Sequence, residues 1–333
     1  MFKLTENRVP LGHVTDARCR PDYTAAFDKH WGKDGVTFWP CIRLAGKKAS
    51  KGKSKESQTK QAISYLHYLL LVRPDLHVAQ GLLTTETSIT FLLGIGGVGL
   101  RSFEVPWGVE VYKVAYAFFY RLYDPGKFAD RAYRLADSIL RDCLNLDFKM
   151  AEDVVVPYDV DLEITATGAD GVETETTSLV VCEGFVPIYA SNPFETRTHV
   201  LSNPSSELKI RGQPLTVLKD QMCRLGIRFN EHAILDAVHL PEEVPGVVQM
   251  VYHRKIDSPY SNERGKYLTG LRQSGRPFLS IQTLQEMLET TFDTLEGTFA
   301  SSNILCSTLT LAQYCGFCVM SAKYFTVISA RGM

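Results

Sequence analysis

The sequence has almost no net charge, with 36 Lys and Arg against 37 Asp and Glu for a formal −1. That balance removes any global pull toward nucleic acid or anionic membrane, so such a partner would need a local patch. Behind Met1-Phe-Lys-Leu-Thr-Glu-Asn-Arg8 there is no apolar core of signal-peptide length. The eight cysteines, at 19, 41, 143, 182, 223, 306, 315 and 318, are scattered, and no Cys/His set has zinc-ligand spacing. Without a secretory signal, reduced structural thiols are expected, in an intracellular protein that is cytoplasmic or nuclear. There is no internal repeat. What remains is an ordinary globular composition in a chain of 333 residues, long enough for two domains.

Periodicity divides the chain. Residues 1–35 are irregular, and Val36–Ala45 is β-rich with Pro40 arguing for an edge or a bulge. Lys47–Lys60 reads as a mobile Lys/Ser/Gly loop. Gln61–Val72 carries Ile63, Leu66, Leu69 and Leu70 on one helical face and stops at Arg73-Pro74. Strands are expected at His77–Thr84, Ser88–Leu93 and Leu100–Val105, then helices at Trp107–Tyr123 and Phe128–Leu146. These elements outline an α+β domain over 1–148. From Val154 the segments shorten and turn rich in Val, Ile, Thr and Tyr, with a hairpin tip at Gly168–Gly171. Strands are expected at Leu179–Cys182, Val186–Ala190, His199–Leu201, Leu208–Ile210, Leu215–Leu218 and Val247–His253, with another before Gly275, and helices at Glu231–Val238 and Ile281–Leu295.

Several motifs invite chemistry. Gly94-Ile-Gly96-Gly-Val-Gly99 fits a dinucleotide fingerprint, but a strand follows it where a helix should begin, so a structural turn is the better reading. The cluster Lys47, Lys48, Lys51, Lys53, Lys55 and Lys60 offers a nuclear-import signal or a contact to nucleic-acid phosphates, against a solvated loop as the plainer reading. The strand ending Cys41-Ile-Arg43-Leu-Ala-Gly-Lys47 carries no acid to hold a metal, so no nuclease is assigned. Cys315-Gly-Phe-Cys318 lacks the βαβ context of a redox pair. Ile304–Ala322 has no charge and approaches the ~20 residues of a membrane span, but its Gln, Ser and Thr make it only moderately apolar, and no membrane partner is expected.

The most informative stretch runs from Leu215 to Leu235. Lys219 ends a short apolar run, and Glu231 opens a helix-like segment after a short gap. A protein kinase sets its phosphate-binding lysine and the glutamate that orients it in this manner. Taken with Pro214–Leu235 (PLTVLKDQMCRLGIRFNEHAIL), Val244–His253 (VPGVVQMVYH) and Gly270–Leu288 (GLRQSGRPFLSIQTLQEML), the chain resembles the fungal-type protein kinase family. The resemblance is clear over about a third of the chain and weaker over Gln61–Leu122. It implies an amino-terminal domain (1–148), a kinase-like upper lobe with antiparallel sheet and one helix, followed by a hinge and a first lower-lobe helix (149–296), and an apolar tail (297–333). It further implies ATP with Mg²⁺ as cofactors, Lys219 and Glu231 at the phosphates, and Gly275–Pro277 near the adenine.

The sequence departs from that family in two places. The stretch expected to cover the phosphates, Asn192–His199, contains no glycine, and glycine is what lets backbone N–H groups approach phosphate closely. Neither His-Arg-Asp nor Asp-Phe-Gly occurs in the 333 residues. Asn303 resembles the end of a catalytic loop, but aligning on it puts Thr298 at the base position, and threonine is no carboxylate base. The expectation is a truncated, catalytically inactive kinase-like protein. The rivals are a scaffold that binds another protein and a nucleic-acid binder acting through Lys47–Lys60.

Overall fold

The computed structural model describes residues 2–3, 9–13, 19–32, 35, 37–146, 154–166, 176–203, 208–210, 212–225, 231–239, 247–257, 260, 263–272, 283 and 285. The chain is mixed α+β with more strand than helix. A first sheet contains β1 (Phe2–Lys3), β2 (Tyr23–Ala25), β3 (Leu44–Lys48), β4 (Val78–Thr84), β5 (Ser88–Ile95) and β6 (Gly99–Pro106), in that spatial order. Its neighbours are antiparallel except β3 and β4, which are parallel and joined by α1 (Lys55–Val72). A parallel pair needs such a crossover.

Successive residues of a strand face opposite sides, and the core divides accordingly. Ala45, Leu83 and Leu92 pack with Tyr65, Leu66, Leu69 and Leu70 of α1, together with Trp39 and Ile42. Their sequence neighbours Leu44, Leu82 and Phe91 pack with Val111, Phe118 and Leu122 of α2 (Val109–Tyr123). The sheet is thus covered by a helix on each face.

α1 is longer than the periodic run alone predicts. The Ser54 side chain accepts the Ser57 N–H at 3.2 Å and starts the helix there. The loop expected over Lys47–Lys60 therefore shrinks to the residues between Lys48 at the end of β3 and Lys55 at the start of α1. At the other end, the last carbonyls of a helix have no partner within it. Here His199 Nε2–H donates to Leu70 O at 2.9 Å and Leu71 O at 3.1 Å, the Tyr158 hydroxyl donates to Val72 O at 3.0 Å, and Arg197 donates to Arg73 O at 2.6 Å.

No single helix forms over Phe128–Leu146. A 3-10 turn (Gly126–Phe128), β7 (Tyr133–Leu135) and α3 (Asp137–Leu144) take its place. β7 pairs with β8 (Tyr158–Ala166), and β8 forms a hairpin with β9 (Thr176–Ala190) whose tip, including Gly168–Gly171, lies outside the described residues. β9 pairs antiparallel with β10 (Arg197–Ser202). A small ribbon joins β11 (Lys209–Ile210) to β12 (Gln213–Pro214). Then come β13 (Val217–Arg224), α4 (Glu231–Val238), β14 (Met250–Asp257) and β15 (Arg264–Leu271). The second sheet has the order β14-β15-β13-β10-β9-β8-β7.

Contacts divide the chain into two compact units. One comprises Met1–Pro204, Asp220–Leu225 and Ile256–Lys266, and the other Ser205–Lys219, Gly226–Lys255 and Tyr267–Met333. Among the described residues no helix is long and apolar enough to cross a membrane.

Candidate functional site

Alternation along β13 sets the site. Leu218, Asp220 and Met222 are buried, and Lys219 lies on the opposite, half-buried side. Glu231 stands in the first turn of α4, where the helix dipole favours a carboxylate. The Lys219 ammonium donates to Glu231 Oε2, with the two side chains 22% and 29% exposed. The two residues marked out in the sequence are therefore joined, and water still reaches the pair. Beside Glu231, the ring of His232 stacks on that of His253 from β14, and Tyr267 from β15 lies against both.

The loop expected to cover phosphates uses its polar groups internally. Asn192 Oδ1 accepts the Phe194 N–H at 3.2 Å, Asn192 O accepts the Glu195 N–H at 3.4 Å, and Ser191 Oγ accepts the Thr198 N–H at 2.8 Å. Position 193 is proline and has no N–H to offer. The loop is also fastened from outside: Pro193 O accepts the Gly97 N–H at 2.6 Å, and the Phe194 ring lies 5.9 Å from that of His67. An anion cradle requires several convergent free N–H groups, and those of Phe194, Glu195 and Thr198 are committed while Pro193 has none.

The glycine motif at Gly94–Gly99 is the turn between β5 and β6, with a strand on each side and no helix start. Gly97 has φ 71°, and a Cβ there would lie 2.8 Å from Met222 Sδ. The motif therefore makes room for packing. The lysine cluster is largely neutralised. Lys47 pairs with Asp22 at 2.9 Å, Lys51 with Glu86 at 3.5 Å, Lys55 with Glu104 at 2.8 Å and Lys60 with Glu56 at 2.7 Å. Gly275–Pro277, Asn303, Cys315, Cys318 and the apolar stretch Ile304–Ala322 lie outside the described residues. Cys19, Cys41, Cys143, Cys182 and Cys223 are free thiols, and among the described residues no three His, Cys, Asp or Glu side chains gather to hold a metal.

One buried charged constellation among the described residues has no motif to announce it. Lys266 on β15 is 2% exposed, and its ammonium lies 2.6 Å from Asp130 Oδ2 and 2.9 Å from Asp220 Oδ2. The Tyr133 hydroxyl donates to Asp220 Oδ2 at 2.8 Å, and the Lys266 ammonium sits 4.6 Å above the Tyr133 ring. Burial alone would lower the Lys266 pKa, but the carboxylates outweigh it and hold the ammonium above the usual lysine range. Burial likewise would raise Asp130, but Lys266 outweighs it and holds that carboxyl below the usual range. Burial, then the Asp220 charge, pushes the Tyr133 hydroxyl well above its ordinary value. The residues come from three distant parts of the sequence, Asp130 and Tyr133 from one, Asp220 and Lys266 from the others. The one signal was Asp220, an acid sharing its strand face with Leu218 and Met222. Every polar group in the set is engaged by another member, which describes a buried clamp on β7, β13 and β15 and leaves no open reactive centre.

Comparison with protein-family models, with curated proteins and with solved structures finds no match to this chain.

Proposed function

We propose that this chain carries a protein-kinase-like upper lobe that does not transfer phosphoryl groups and acts as a binding module. The observation that carries the reading is the Lys219–Glu231 ion pair, formed between a strand and the helix after it. In protein kinases such a pair holds a cation against the α- and β-phosphates of ATP. The succession of β9, β10, β13, α4, β14 and β15 agrees with that lobe's sequence of strands and single helix.

The fit to the cofactor is partial. Lys219 is a suitable cation for nucleotide phosphate, held by a charge-assisted hydrogen bond. Within Asn192–Thr196 the Phe194 and Glu195 N–H groups are committed and Pro193 has none, and Glu195 is an exposed acid that repels phosphate. His-Arg-Asp and Asp-Phe-Gly are missing from the 333 residues, so no aspartate from those motifs accepts the substrate proton or holds Mg²⁺. The residues do not fit Mg²⁺-dependent transfer, and no step is derived through it.

The test is incorporation of labelled phosphate from ATP and Mg²⁺ into generic protein substrates and into the chain itself. No incorporation above that of Lys219→Met is expected. Turnover that Lys219→Met abolishes would overturn the reading. A scaffold role draws support from a separate surface: Tyr112 and Tyr116 of α2 are each 74% exposed, an unusual cost for aromatic side chains outside a contact. Affinity capture that recovers one stoichiometric partner, and loses it with Tyr112→Ser and Tyr116→Ser together, supports that role. The nucleic-acid reading is weaker, because four of the six clustered lysines already face carboxylates.

A further inference from the structure

We propose that the stacked imidazoles of His232 and His253 form a proton-operated release for α4, and through it for the Lys219–Glu231 pair. The two rings lie face to face, with centroids 3.6 Å apart and 19° between their planes. The Tyr267 ring extends the stack, 5.7 Å from His232 and 5.9 Å from His253. His232 follows Glu231 directly, so the first turn of α4 rests on β14 and β15 through this stack. Any displacement of that turn carries Glu231 away from Lys219.

Neutral imidazoles stack well, and protonated ones do not. A first proton must enter a half-buried site where His253 Nδ1 is buried without a hydrogen-bond partner. A second sets two cations face to face at the ring spacing given above, and like charges so close repel strongly even in a partly wet site. Among the described residues the charged and titratable neighbours come from three elements. α4 contributes Asp236 and Glu231, the latter held by Lys219 of β13. β15 contributes the Tyr267 phenol, and β14 contributes Lys255, exposed and two residues along from His253 on the same strand face. At the far end of α4, His239 Nε2 bonds Val248 O at 2.9 Å. Asp236 is thus the carboxylate placed to favour a charged His253, and it is itself exposed to screening water.

The direction of the pH effect follows by linkage. Burial, then the field of His232, holds the His253 imidazole below its usual range, with Asp236 opposing. A histidine lowered in the folded state contributes stability that is present above the unfolded value near 6.5 and is lost as pH falls from there. Acidification below about 6.5 therefore loosens α4 first.

The inference rests on the geometry of the pair and stands whether or not the pair meets nucleotide. Amide hydrogen exchange over residues 231–239 tests it, compared at pH 7.5 and 5.0 after correction for intrinsic rates, with α1 as internal reference. Protection of α4 is expected to fall at least about tenfold more than that of α1. His253→Phe and His232→Phe each keep a ring in the stack and remove one titrating group, so each flattens the difference. An equal pH response of α4 and α1 in the native chain overturns the proposal. So does a pH response that persists in whichever of the two variants folds. ATP binding to the native chain at pH 7.5, measured by calorimetry, reports on the kinase-like reading alone.

Discussion

Lys266→Met removes the cation of the buried clamp and leaves nearly everything else in place, since methionine approximates the lysine stem in length and volume. In the native chain one ammonium at 2.6 and 2.9 Å from two carboxylates offsets their burial, with Asp130 and Asp220 side chains only 14% and 8% exposed. After the substitution the two acids keep as donors the Tyr133 hydroxyl to Asp220 and the Ala132 N–H to Asp130 Oδ1 at 2.9 Å, neither of which brings a charge. Breaking a buried pair by deleting one partner costs about 3–5 kcal/mol, mainly through the charge left behind. A loss in that range is expected in the urea midpoint followed by tryptophan fluorescence. The sign of the pH dependence is the more discriminating result. In the native chain the Asp130 carboxyl is held low, so its contribution is present above the unfolded value of about 3.9 and is lost as pH falls below it. In Lys266→Met the same carboxyl is buried without its cation and is pushed up, so the variant gains stability as pH falls from 7 toward 4 and it takes up a proton. The triple variant Lys266→Met, Asp130→Asn, Asp220→Asn removes all three charges and should recover much of the loss. A single variant within about 1 kcal/mol of native, or one whose stability does not rise relative to that of the native chain as pH falls from 7 toward 4, would refute the account of the clamp.

Two further substitutions address packing without charge. Tyr158→Phe removes the hydroxyl that donates to Val72 O at 3.0 Å from a side chain 1% exposed, and stability should drop by about 1–3 kcal/mol because the carbonyl is left buried without its donor; calorimetric Tm in parallel with native protein measures it. Gly97→Ala forces a side chain onto φ 71° and against Met222 Sδ, and should cost at least about 1–2 kcal/mol. Met222→Ala in the same background should recover the steric share and leave the backbone share, which a double-mutant cycle in urea resolves.

Some of this fold can be read in the sequence because the deciding forces are local. The strands β4 and β5 are mostly apolar and β-branched, β6 carries Leu100, Phe103 and Val105 among polar residues, and all three are set off by turn residues. The bounds of α4 follow from a glutamate opening a helical stripe that ends after Val238. The gap between the expected strands Leu179–Cys182 and Val186–Ala190 also has a local cause. β9 passes through it unbroken, with a register irregularity against β8 and Gly184 at φ 76° donating its N–H to Asp159 Oδ1 at 3.1 Å. A bulge reads as a break when only alternation is followed. Other features depend on distant partners. Phe128–Leu146 has helix-like apolar spacing, but Tyr133 is drawn into β7 by pairing with Val160 and by its bond to Asp220. The early start of α1 turns on a single serine cap inside a lysine-rich stretch that composition marks as loop.

The candidate site divides along the same line. Lys219 and Glu231 can be found because a lysine closing an apolar run and a glutamate opening a helical stripe are local signals, although β13 continues past Lys219 to Arg224. That Asp220, the next residue, serves a different network cannot be found this way, because its partners come from 130, 133 and 266. The two roles depend on each other through the strand. Alternation turns Asp220 inward against Lys266 wherever it turns Lys219 outward toward Glu231, so a one-residue slip of β13 would bury Lys219 and expose Asp220. The buried clamp therefore fixes the register that lets Lys219 meet α4. The geometry of the Lys219–Glu231 pair is thus imposed by the alternation of the strand that carries it, and an ordered ion pair there is by itself no evidence of an activity.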